Sequence, residues 1–235
     1  MSESTRERRS YGMQCGLAYA LDVIGERWTL LIVRELLVAP RRYGELLDAL
    51  PGIGTNLLAD RLRSLTEAGV LAEAEPGRRT AGYVLTPLGE SLREPVLGLA
   101  RFGLNSATEH PPPRATTATR PSWAILAIEA MLDQDQVPPV DEVYEFEIDG
   151  AVFHIETSGG RAHTRSGPAA TPTLTMRTDV QTFFDLGLRR LDPIEAVVSG
   201  SVTVQGVSAA VPRCLRLIGL ARPEPTVRPQ RPPTS

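Results

Sequence analysis

The chain has 235 residues, 42% hydrophobic and 23% charged, with a formal net charge of −3. That composition excludes fibrous and largely disordered classes, and the length suits two modest cores. No apolar run approaches the roughly 20 residues that span a bilayer, and the arginine-rich start has no apolar signal segment, so a cytoplasmic location is expected.

In chain order, residues 17–24 and 28–37 carry apolar side chains at helical spacing, separated by Gly25-Glu26-Arg27, and Pro40 closes the second helix. A third short helix is predicted over 43–50. After the turn Pro51-Gly52-Ile53-Gly54, Thr55 offers an N-cap hydroxyl to a fourth helix running to about Ala68, where Gly69 ends it. Leu58, Leu62 and Leu65 fall at i, i+4 and i+7 and form its buried face, which turns Asn56, Ala59, Asp60 and Arg63 outward. Two β-type runs, 70–74 and 83–86, flank a loop containing Arg78-Arg79, a hairpin with a basic tip. A final helix over about 87–104 carries Leu88, Leu92, Val96, Leu99 and Phe102, too apolar a stripe for a lone surface helix.

From 105 to 121 the apolar periodicity gives way to proline and threonine, which reads as a linker between a first domain over 1–104 and a second over 122–222. The proline-rich residues 223–235 read as a disordered tail. In the second half Ser122 caps a helix over about 123–132. Tyr144, Phe146 and Ile148 alternate with Glu145, Glu147 and Asp149, the period of a strand. Asp149-Gly150 is a favoured hairpin turn, and Ala151, Phe153 and Ile155 continue the apolar face on the return strand. Leu174 with Met176 predicts a third strand and Val202 with Val204 another. Between them lie a helix over about 179–188 with Thr178 as cap and a short one opened by Asp192-Pro193; a last helix covers about 209–217. The fold class expected is α+β, a winged helix-turn-helix followed by a layer of helices on a sheet.

All 25 cationic side chains other than histidine are arginine, which removes lysine-based covalent and phosphate-loop chemistry. Charges of the two signs nearly balance in each half, so any basic footprint must be local. Two cysteines in separate halves make neither a disulfide framework nor a metal cluster, and no metal or cofactor is expected. Duplex readout requires a slim helix with hydrogen-bonding side chains outside and an inner face locked to the preceding helix, and 55–68 meets that description. Arg78 and Arg79 at the hairpin tip would add phosphate or minor-groove contacts, and Arg41 and Arg42 would face the same duplex.

The residues quoted resemble the HxlR-type branch of the MarR-like winged-helix regulators. The resemblance spans 15–103 and is carried by Cys15, by 20–32 (ALDVIGERWTLLI), by Arg34-Glu35-Leu36, and by Pro51-Gly52-Ile53 leading into Asn56, Leu58, Asp60-Arg61-Leu62 and Leu65. Glu67-Ala68-Gly69 and the run 83–89 (YVLTPLG) complete it. It implies a homodimer joined through the first and last helices of this domain, reading a pseudo-palindromic operator in duplex DNA, most simply as a repressor. By position, Thr55, Asn56, Asp60, Arg61 and Arg63 would face the groove or its phosphates. For Arg61 a second reading stays open, local pairing with an acid that orients the helix.

Cys15 stands where such regulators often carry a sensing thiol, just ahead of a helix N-terminus that lowers thiol pKa; the other reading is a small structural apolar residue. The run 174–220, with Asp179, Phe183-Phe184, Asp192-Pro193 and 199–206 (SGSVTVQG), resembles the sterol-carrier-protein-like fold. That implies a tunnel for a small hydrophobic effector lined by Phe146, Phe153, Met176, Phe183, Phe184 and Leu188; a solid core is the other reading. A lipid-like carrier is the alternative function. His154 is expected to be solvated or between domains, and His163 and His110 to lie in loops. Residues 206–210 bear only a faint likeness to a nucleophile elbow, with no matched acid and histidine after them, and no enzyme is expected.

Overall fold

A computed structural model describes residues 10–74, 82–110 and 120–221. These form two units, residues 10–103 and, with 104–110, residues 120–221. Each unit is taken by itself below. Arg78, Arg79 and the tail 223–235 lie outside the described residues, as does most of the segment read as a linker.

In the first unit, apolar side chains at helical spacing form α1 (Gly16–Ile24), α2 (Thr29–Val38), α3 (Tyr43–Ala49) and α4 (Thr55–Glu67). Ile32, Leu46, Leu58, Leu62 and Leu65 are each fully buried. The hairpin follows as β1 (Leu71–Glu73) antiparallel to β2 (Tyr83–Leu85), with Leu71 opposite Leu85. Arg41 adds a third rung: Tyr83 donates to its carbonyl at 2.7 Å and accepts from its N–H at 3.2 Å. The ribbon is thereby tied to the segment that opens α3.

Two sequence expectations change here. Thr55 is the first helical residue of α4 and Gly54 is the N-cap, because the chain leaves the preceding turn still extended at Gly54, with φ −79° and ψ 150°. The helix expected over 87–104 is two, α5 (Pro87–Glu90) and α6 (Arg93–Glu109). Pro95 has no N–H to give the Ser91 carbonyl, so an uninterrupted helix cannot pass this point, whereas proline is tolerated in the first turn of a new one. Thr86 caps α5, its hydroxyl accepting from Gly89 N–H at 3.1 Å. Gly89 is required there, since a Cβ would lie 2.2 Å from the Val70 carbonyl oxygen. Helix α6 then runs five residues past 104, there being no glycine or proline in 104–109 to stop it.

In the second unit a 3₁₀ turn, Pro121–Trp123, leads into α7 (Ala124–Met131), so Ser122 sits inside that turn and not at a helix cap. A five-stranded sheet has the order β5-β4-β3-β6-β7, with β3 (Glu142–Ile148), β4 (Ala151–Ser158), β5 (Arg161–Ser166), β6 (Leu174–Thr178) and β7 (Val202–Gly206). Neighbours are antiparallel except β3 and β6. Asp149 (φ 44°) and Gly150 (φ 83°) make the expected left-handed hairpin turn between Ile148 and Ala151. Helices α8 (Val180–Gly187), α9 (Pro193–Val198) and α10 (Val211–Leu217) complete it. Tyr144, Phe146, Phe153, Ile155 and Leu174 form one core with Ile128 of α7 and Cys214 and Leu217 of α10. The cap of α8 is Asp179, whose carboxylate accepts from Thr182 N–H at 2.8 Å, one residue beyond the expected Thr178.

Strand β5 has no counterpart among the expected elements, and it places His163 on an exposed strand position rather than in a loop. Because β5 is an edge and β6 lies beyond β3, residues 167–173 must cross the sheet, and they do so on the side away from Tyr144 and Phe146. There the Gly167 carbonyl meets His154 Nδ1 at 2.9 Å and Ala169 N–H donates to Glu145 at 2.8 Å. His154 is therefore buried, at 6% exposure, and not solvated. Its Nε2 faces Glu156 at 3.3 Å.

Candidate nucleic-acid interface and apolar cavity

Helix α4 is fixed from one side only. Leu58, Leu62 and Leu65 are at most 1% exposed, while Thr55, Asn56 and Arg63 are exposed and Asp60 is half-buried. The 3.6-residue period accounts for both faces. Tyr43 of α3 donates its hydroxyl to the Thr55 carbonyl at 2.8 Å and so holds the start of α4 against α3. Arg63 pairs with Asp60 one turn back at 3.0 Å. Opposite charges side by side reduce the net field of this face but leave a donor and an acceptor directed outward.

Arg61 points elsewhere. Its guanidinium meets Glu26 at 2.8 Å and donates from Nε to the Arg27 carbonyl at 3.3 Å, with only 19% of the side chain exposed. Of the two readings the sequence left open, the local pairing is the one drawn in the geometry, and it ties α4 to the turn between α1 and α2. That turn includes Trp28 at φ 78°, under the Arg27 guanidinium 5.3 Å from its ring. Arg42 is the N-cap of α3 and is exposed, its N–H donating to Glu45 at 2.6 Å. Arg41 is half-buried by its rung with Tyr83, and its Nε is buried with no hydrogen-bond partner among the described residues. Of the predicted arginines, Arg42 and Arg63 are thus exposed beside or on α4.

This unit also exposes large apolar side chains. Leu17, Tyr19 and Leu21 of α1, Leu99 and Phe102 of α6, and Tyr11 and Met13 ahead of α1 are all exposed, Phe102 by 72% and Leu17 by 68%. Exposed large apolar side chains on a helix are candidates for contact with another chain. Cys15 is exposed at the N-cap of α1. The backbone N–H groups of Ala18 and Leu17 stabilise its thiolate and hold the thiol below its ordinary range.

In the second unit a cavity of about 220 Å³ lies between the sheet and the helices. Phe146, Met176 and Phe183 line it as the sequence predicts, joined by Leu186, Ile194 and Val198. Phe153, Phe184 and Leu188 do not line it. Phe153 stacks behind Phe146 from the next strand, with centroids 5.3 Å apart and planes 12° apart. On α8 the cavity is reached by Phe183 and Leu186, one turn apart; Phe184 is turned one position round and packs edge-on to Phe183, and Leu188 follows the last turn.

Sequence reasoning missed a polar cluster that fastens α10 to β3. Arg213 makes a two-pronged contact with the buried Glu142, its Nε at 2.8 Å and its Nη2 closer, and the Tyr144 hydroxyl donates to the same carboxylate at 2.5 Å. Arg213 holds the Glu142 carboxyl below its usual range against the opposing effect of burial. Burial pushes the Tyr144 hydroxyl and the Cys214 thiol up. No local motif signals a pair so distant in sequence. Among the described residues no group of three or more His, Cys, Asp or Glu could hold a metal, and no helix is long and apolar enough to cross a membrane.

Residues 23–111 match the HxlR-like helix-turn-helix family and residues 125–211 the SCP-2 sterol transfer family. An uncharacterized HTH-type transcriptional regulator of Synechocystis is 33% identical over 97 residues, 39% of this chain and 70% of that protein. One from Mycobacterium tuberculosis is 37% identical over 107 residues, 44% of this chain and 65% of that protein, so the match spans just under two thirds of its length. A solved chain from Porphyromonas gingivalis, assigned to the MarR family of transcriptional regulators, is 31% identical with a TM-score of 0.38, covering 41% of this chain and 97% of that one.

Proposed function

The chain belongs to the HxlR-like helix-turn-helix family of transcriptional regulators, and on that premise we propose that it binds operator DNA as a homodimer, acts as a repressor, and answers to a small apolar effector held in its second unit. The observation that carries the DNA reading is α4, locked through Leu58, Leu62 and Leu65 with Thr55, Asn56 and Arg63 left outside. Asn and Thr suit base edges, whereas Arg42, Arg63, Arg78 and Arg79 suit phosphates. The apolar face of α1 and α6 supplies a dimer contact, and a two-fold dimer presents two copies of α4 to half-sites about 34 Å apart. The effector couples to DNA only through different affinities for two arrangements of the dimer.

Fluorescence anisotropy with fragments of the source genome tests this. Sequence-selective binding that weakens with salt is expected, and replacing Arg63, Arg78 and Arg79 by Ala should flatten the salt dependence. An unchanged salt slope in that triple variant would move the phosphate contacts to other residues, and no sequence-selective binding by the wild type would favour a carrier of apolar molecules. A second reading adds a thiol switch, in which oxidation of Cys15 alters DNA binding; its exposure and lowered thiol pKa support this reading. Cys15→Ser should then abolish any oxidant response.

A further inference from the structure

The chemistry of the cavity is narrower than a general liking for lipids. Among its lining residues only Thr178 has a hydrogen-bonding side chain, and that hydroxyl already donates to the Ser201 carbonyl at 2.8 Å. A ligand hydroxyl, carbonyl or charge placed inside would lose its water without gaining a partner. What enters must therefore be hydrocarbon.

Size sets the second limit. A dry cavity of about 150 Å³ takes benzene, so by proportion one of about 220 Å³ takes about nine carbons. It cannot deepen toward β4, because Phe153, 2% exposed, stands stacked against the far side of Phe146. Its opening is at α9, where Ile194 and Val198 line the cavity while 72% and 82% exposed. A sterol has about three times the carbons that this volume encloses, so most of its rings would stand outside the α9 opening.

We propose that the cavity takes the hydrocarbon part of a small molecule, a short alkyl chain or one substituted ring of about nine carbons, with any polar group left at the α9 opening. The Phe146–Phe153 stack fixes that limit. The proposal rests on the reading of the second unit as an effector site and adds to it the class and size of the effector.

Calorimetric titration of the full chain with 1-alkanols from six to fourteen carbons, and separately with cholesterol, tests it. Affinity should rise about fourfold per methylene up to about nine carbons and then stay level, because further methylenes remain in water. Phe153→Ala should move the break to longer alkanols, and Val204→Phe, which fills the cavity, to shorter ones. Thermal melts establish that each variant is folded, and Val204→Phe alone suffices if Phe153→Ala is not. Affinity still climbing at fourteen carbons, cholesterol binding more tightly than decanol, or a break unmoved in every folded variant would overturn the size limit while leaving the effector reading intact. Failure of every alkanol to bind would remove both.

Discussion

Replacing Arg61 by Ala separates two ways an arginine on α4 can serve DNA binding. The side chain meets Glu26 at 2.8 Å, and Glu26 is 59% exposed, so solvent screens the pair and its contribution to stability is about 0.2–1 kcal/mol. The hydrogen bond to the Arg27 carbonyl, at 3.3 Å, is long and adds little. A loss near the top of that range lowers the melting temperature of a domain this size by about 4–8 °C, so the variant remains folded for binding assays. If Arg61 acts by aiming α4 through the α1–α2 turn, then Glu26→Ala and Arg61→Ala should weaken operator binding equally. The double variant should be no worse than either single one, and the slope of log affinity against log salt should not change. A phosphate contact predicts the reverse, with the slope falling in magnitude by about 0.9 for Arg61→Ala alone. Anisotropy titrations at four salt concentrations on the three variants decide it. A flattened slope with Arg61→Ala and an unaffected Glu26→Ala would refute the aiming role.

Further expectations follow from the same packing. Leu62→Ala, at 1% exposure, should cost about 2–5 kcal/mol in urea melts, whereas Asn56→Ala should leave stability within about 0.5 kcal/mol and reduce operator discrimination by about 1–3 kcal/mol. Changing Leu99 and Phe102 to Glu should convert a dimer to monomers in light scattering; an unchanged mass would place the interface elsewhere. Arg213→Ala leaves Glu142, 6% exposed, without its cation and should lower the urea midpoint, by less than for a fully buried pair because Arg213 is 28% exposed. Since the Glu142 carboxyl is held below its ordinary value in the fold, the pair's contribution is present above about pH 4.3 and lost as pH falls through the folded value. The difference between wild type and Arg213→Ala should therefore shrink in acid melts, and a constant difference would count against the pair. With a thiol reagent near neutral pH, Cys15 should react in the native protein and Cys214 only after unfolding.

Local pattern was enough for much of this protein. The spacing of Leu58, Leu62 and Leu65 determined which side of α4 is buried, because a helix repeats every 3.6 residues whatever surrounds it. Alternation through Tyr144, Phe146 and Ile148, with Asp149-Gly150 after it, similarly determined β3, its turn and its partner. Features that join distant segments were not legible. Strand β5 has weak alternation and an edge position, and its clearest sign is the Gly159-Gly160 turn before it. The burial of His154 depends on where residues 167–173 cross, which follows from the strand order and from no property of the histidine. Likewise Arg61 with Glu26, Arg213 with Glu142, and the choice of Phe183 over Phe184 at the cavity are decided by which element lies opposite. Periodicity gives a side chain its direction from its own backbone; only the assembled fold supplies the neighbour it meets there.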